Sequence, residues 1–136
     1  MRDGTSWLAE WLLEARATTA CTVIDGKAHS DALIAQMREG GYPRLAIVVP
    51  KSGDVIASAT RFYNAVMEEK LTHYGQQAFD AVATRCMKRP IGQNGGWGWG
   101  GVGDVDPTML EAASLALWGV MTTKRDPSRK MRVGVR

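Results

Sequence analysis

The chain has 136 residues, 45% of them hydrophobic and 23% charged, the balance of one small globular domain with a real core. No apolar run reaches the ~18 residues of a membrane span, no apolar leader follows Met1, and no C-x-x-C pair offers a cysteine zinc site. A net charge of +3 and a pI near 9.1 lean toward an anionic partner. Cys21 and Cys86, both set in apolar stretches, read as buried free thiols of a reducing, cytoplasmic compartment.

In chain order, residues 5–17 predict a helix. Trp7, Leu8, Trp11, Leu12 and Ala15 recur at helical spacing, Asp3 or Thr5 caps it, and Thr18-Thr19 ends it. Cys21 to Ile24 is a short β-branched strand that runs into Asp25 and breaks at Gly26. Residues 29–39 return to helical spacing, with Leu33, Ile34 and Met37 on the core face and Gly40-Gly41 as the stop. Leu45 to Val49 is a second strand, closed by Pro50. Its continuous apolar run predicts burial on both faces, as in a parallel sheet. Residues 20–49 therefore form one β-α-β unit with a right-handed crossover.

A helix over about 53–70 follows, capped by Ser52 and carrying Val55, Ile56, Ala59, Phe62, Tyr63 and Val66. Another, over about 76–87, buries Phe79, Val82 and Cys86. Residues 88–106 break the helical pattern. Asn94-Gly95 is a hairpin-turn signal, and tryptophan alternating with glycine over 96–101 suits a short strand. Asp106 at N-cap and Pro107 at N1 open the last helix, which is apolar nearly all round and so predicted to be buried. The tail, 124–136, is basic and expected to be mobile.

Three carboxylates carry the chemistry of interest. Ligands of open α/β sheets collect beyond the carboxyl ends of strands, where Asp25 sits. Asp104 and Asp106 form a second acidic pair just ahead of the last helix. Taken singly, Asp25 reads as an Asx-turn with Gly26, Asp104 as a loop acid and Asp106 as a helix cap. Gathered in space, they would suit Mg²⁺ or Mn²⁺, hard cations that take oxygen ligands and offset like-charge repulsion. The G-x-G-x-x-G match at Gly98, Gly100 and Gly103 is a by-product of a glycine-rich turn. It does not follow the first strand of a β-α-β unit, and no acid lies ~20 residues beyond. Trp97 and Trp99 are expected to pack against the domain rather than stack on bases. His29 and His73 show no paired-ligand spacing. Lys124, Arg125, Arg129 and Lys130 in the tail read either as phosphate contacts or as a solvated terminus.

The order of these pieces resembles the C-terminal nuclease domain of tailed-phage large terminase subunits, which has a ribonuclease H-like fold. The stretches that carry the resemblance are Trp11 onward with TVIDG (22–26), LTHYG (71–75), KRPIG (88–92) and DVDPTMLEAASLALWG (104–119), nearly the whole chain. It implies that Asp25 is the second active-site acid and that Asp104 or Asp106 is the last, with Asp106 the first choice for direct coordination. It also implies Mg²⁺ or Mn²⁺ as cofactor, double-stranded DNA as substrate, and other terminase subunits and the portal as partners in the host cytoplasm. Against that family's pattern the chain starts at the first helix, so the three preceding strands and the first acid are expected to be missing. The expected architecture is thus a partial ribonuclease H-like α/β domain over 1–123, a short parallel β-α-β core flanked by helices, followed by the basic tail 124–136. The expected activity is metal-dependent DNA cleavage, weak in the isolated chain. The alternative is a non-catalytic remnant or DNA-binding module.

Overall fold

A computed structural model describes residues 4–26, 30–71 and 77–128, with backbone alone for 77–79. His29, His73, most of the LTHYG stretch, Arg129, Lys130 and the packing of Phe79 lie outside the described residues. The protein is mixed α/β, with one two-stranded parallel sheet and one two-stranded antiparallel sheet. It forms two compact units, Met1–Val49 with Thr122–Arg136, and Pro50–Met121.

The first unit holds the β-α-β arrangement. Helix α1 (Ser6–Glu14) precedes strand β1 (Thr22–Val23), helix α2 (Ser30–Glu39), a 3₁₀ turn (Arg44–Ala46) and strand β2 (Ile47–Val48). The strands are parallel, Thr22 opposite Ile47 and Val23 opposite Val48. The Ile24 N–H donates to the Val48 carbonyl (2.9 Å), which extends the pairing to the residue before Asp25. Ala9, Leu33, Met37, Tyr42 and Ala46 form the core, with Leu8, Leu12, Leu13, Ile24 and Ile47 packed around it.

Two glycines end α2 as expected, and the geometry gives the reason. The Tyr42 N–H reaches the Met37 carbonyl (2.9 Å) and the Gly41 N–H reaches that of Arg38 (3.1 Å). Gly41 has φ +90°, so this is a Schellman ending, with Met37 and Tyr42 as its accompanying apolar contact.

Three boundaries differ from expectation. Helix α1 stops at Glu14, because the backbone turns at Ala15 and the Thr18 N–H and Thr19 hydroxyl both donate to the Ala15 carbonyl. Thr5 occupies the N-cap position, but its hydroxyl donates instead to Gln36 Oε1 (2.8 Å), tying α1 to α2. The strand expected over Leu45–Val49 narrows to two residues. Leu45 falls in the 3₁₀ turn and is exposed, and Val49 is exposed too, so the apolar run is not buried on both faces. β1 pairs over Thr22 and Val23, so residue 45 has no ladder partner there.

In the second unit, α3 (Ser52–Met67), α4 (Gln77–Ala83), β3 (Cys86–Ile91), β4 (Gly96–Gly101) and α5 (Thr108–Thr122) follow in order. Ser52 is the first helical residue of α3 rather than its cap. The Lys51 N–H donates to Asp54 Oδ2 (2.8 Å), so the carboxylate three residues into the helix does the capping. The helix expected to run through residue 87 ends at Ala83, and Cys86 opens a strand instead. β3 and β4 make a hairpin closed by residues 92–95, with Lys88 opposite Trp99 and Pro90 opposite Trp97. Cross-strand pairing with the Trp/Gly strand outweighs the weak local helical preference of residues 84–87. Trp99 packs edge-on to Phe62 of α3 (6.4 Å between centroids), and its Nε1 donates to Ser114 Oγ (2.8 Å) of α5. Both tryptophans pack within the unit, as expected. The last helix is buried along one face, by Leu110, Ser114, Leu115 and Gly119. Met109, Ala112, Ala116 and Val120 are exposed, so its apolar character all round does not translate into full burial.

Two glycine substitutions separate conformational from steric cost. Gly41→Ala forces a side chain into the left-handed region and is expected to lower unfolding stability by about 1–2 kcal/mol. Gly101→Ala places a Cβ 1.6 Å from the Val105 carbonyl oxygen, a backbone atom that cannot swing aside. Its expected cost is larger, about 3 kcal/mol. Denaturant unfolding of both variants checks the ranking.

Candidate metal centre

Asp25 follows Ile24 at the carboxyl end of the β1 pairing, in a turn where Gly26 has φ +126°, and it is exposed. The chain supplies that position physically: a β-branched run carries the backbone out of the sheet, and glycine then permits the break. The Asx-turn expected at Asp25 requires residue 27, outside the described residues.

Asp104 and Asp106 lie in the second unit, between β4 and α5, and both are exposed. Asp106 is the helix cap that the sequence predicts. Its Oδ1 accepts the Thr108 N–H (3.0 Å) and the Thr108 hydroxyl. These bonds, the hydroxyl first and the amide second, hold its carboxyl below the usual aspartate range. Asp25 belongs to the first unit. Among the described residues, no three His, Cys, Asp or Glu side chains are grouped to hold one cation.

The hairpin adds a feature that the helical reading of residue 86 concealed. The half-buried Cys86 thiol is pushed up first by burial, then by the charges of Glu111 and Asp106. Strand β3 therefore starts within electrostatic reach of both carboxylates. Glu111, in the first turn of α5, is the residue that the spacing argument passed over. Its signal is an acid placed at a helix N-terminus. Cys21 and Cys86 are both free and half-buried.

In the tail, Lys124 is exposed, whereas Arg125 Nη1 donates to the Ala20 carbonyl (2.7 Å) just ahead of β1. No described helix is long and apolar enough to cross a membrane. Comparison with protein-family models, with curated proteins and with solved structures finds no match.

The hydrogen bonds on Asp106 fix the sign of its titration. A depressed folded-state pKa contributes stability above the ordinary aspartate value of ~3.9, and that stability is lost as pH falls through the lower folded value. NMR titration is expected to give Asp106 a midpoint below that of an unpaired aspartate. In Thr108→Val, which removes the hydroxyl donor, the midpoint is expected to rise.

Proposed function

We propose that the chain is the C-terminal part of a ribonuclease H-like nuclease domain of a phage terminase large subunit, acting on double-stranded DNA with Mg²⁺ or Mn²⁺. One observation carries the reading: Asp25 emerges directly beyond a parallel strand of a β-α-β unit, where sheets of this class place ligand-binding groups. The placement of Asp106 at the opening of α5 supports it. In this reading the partners are DNA, other terminase subunits and the portal.

The donor chemistry fits a hard cation. Asp25, Asp104 and Asp106 offer carboxylate oxygens alone, all on exposed residues, and both hydrogen bonds to Asp106 fall on Oδ1. In this reading Asp25 of the first unit and Asp104 and Asp106 of the second are each candidate metal ligands, with Asp106 Oδ2 the first choice for direct coordination. When bound, two such ions supply activation of the attacking water and neutralisation of the leaving oxygen. The chain's own contribution is positional. The Ile24–Val48 hydrogen bond steadies the backbone before Asp25, and Thr108 fixes the orientation of Asp106 and keeps it ionised.

A second reading, a non-catalytic DNA-binding module, is favoured by the lack of a three-ligand group among the described residues. Paramagnetic Mn²⁺ separates the two. The nuclease reading expects amide broadening at residues 24–26 and 104–108, lost around residue 25 in Asp25→Asn. It also expects slow nicking of supercoiled plasmid in Mn²⁺ that stops in the same variant. Broadening and nicking unchanged by Asp25→Asn would refute the site. DNA binding with neither effect would establish the second reading.

A further inference from the structure

The β3–β4 hairpin carries a charge pattern that the carboxylate site does not use. Arg85, Lys88 and Arg89 lie on β3 or at its entry and all three are exposed. None forms an ion pair among the described residues, where Lys70–Glu68 is the pair present. Register places Lys88 opposite Trp99 and Arg89 opposite Gly98, so the two cations leave the ribbon on opposite faces. The Lys88 ammonium is held 4.2 Å from the Tyr63 ring centre and 4.8 Å from that of Trp97. That contact fixes the position of the charge without neutralising it. Arg85 is fixed through its backbone, its carbonyl accepting the Val102 N–H (3.1 Å).

We propose that this cationic strand is a phosphate-contacting ridge that seats a DNA backbone beside Asp106. The inference rests on the nuclease reading for its purpose, though not for its chemistry. At ~3.3 Å per residue, Arg85 to Arg89 spans about 13 Å. Phosphates of one duplex strand advance ~3.4 Å per step along the axis, so Arg85 and Arg89, four residues apart on one face, bracket about four of them, while Lys88 sits on the opposite face against the Tyr63 and Trp97 rings. A two-stranded β-ribbon is also one of the elements that a major groove admits. The Val102 N–H to Arg85 carbonyl bond and the Val105 carbonyl lying against Gly101, the residue opposite Cys86, bring the strand's entry to the loop that carries Asp104 and Asp106, so phosphates drawn to the ridge lie next to candidate metal ligands. Left without cations, those carboxylates would repel a polyanion. The ridge offsets that repulsion.

The experiment is duplex binding by the full chain in EDTA, read by fluorescence anisotropy across a salt series. Working without metal separates the ridge from the carboxylate site, whose own test is the Mn²⁺ experiment. Neutralising Arg85 and Arg89 to Gln is expected to lower the salt slope by about 1.8, since each lost phosphate contact removes ~0.9. Over a fourfold rise in salt, those contacts account for a roughly 12-fold loss of affinity. Because Lys88 packs on aromatic rings, Lys88→Arg is the folding control and is expected to keep the slope, and thermal melts verify each variant. Three results would overturn the proposal: an unchanged slope in the Arg85→Gln/Arg89→Gln variant, loss of binding in Lys124→Gln/Arg125→Gln instead, or a wild-type chain that associates with anionic vesicles but not with duplex.

Discussion

Tyr42 is where the first unit is held together. It is buried to 4% exposure, stands three residues past the end of α2 as the apolar partner of Met37, and shares a hydroxyl–hydroxyl hydrogen bond with Thr22 of β1. A buried aromatic removes roughly 150–250 Å² from water, worth about 4–6 kcal/mol. Each ladder hydrogen bond of the two-residue strands contributes about 1 kcal/mol net. Packing around Tyr42, more than the ladder, therefore keeps β1 against β2. The position of Asp25 depends on that packing, since Asp25 lies just beyond the ladder and has no buried anchor of its own.

The second unit relies on a different device. Trp99 is fixed by Phe62, by the edge of Trp97 and by its hydrogen bond to Ser114, whose own hydroxyl donates to the Leu110 carbonyl. One indole thus joins α3, β4 and α5. The absence of a side chain at Gly101 then lets the Val105 carbonyl fold back against β4. That close return sets the path of residues 102–105, and with it the place where Asp104 and Asp106 emerge ahead of α5. An acidic loop that looks unconstrained by its composition is held at both ends, by backbone contact at Gly101 and by the Thr108 cap.

Much of this was legible locally. The β-branched run before Asp25, the double glycine after Met37, the Asn94-Gly95 turn and the Asp106-Pro107 cap each act through their own backbone or their nearest neighbours, so the residues name the structure. Where the reading slipped, a partner other than the one the local pattern named had intervened. Thr5 gives its hydroxyl to Gln36 instead of to its own helix, and Asp54 caps α3 in place of Ser52. Residues 86–87 join a hairpin because Gly100 and Gly101 offer a ladder.

The sequence by itself determined the order and type of most elements, the parallel pairing across α2, and the candidate acids Asp25, Asp104 and Asp106, because spacing, capping and turn chemistry are short-range. Tertiary structure alone decided that Leu45 and Val49 face solvent, that α5 buries a single stripe, and that Cys86 comes within reach of Asp106 and Glu111. It also left Arg85, Lys88 and Arg89 along an exposed strand. Burial and electrostatic proximity depend on which surfaces meet in space, and no local pattern of residues encodes that.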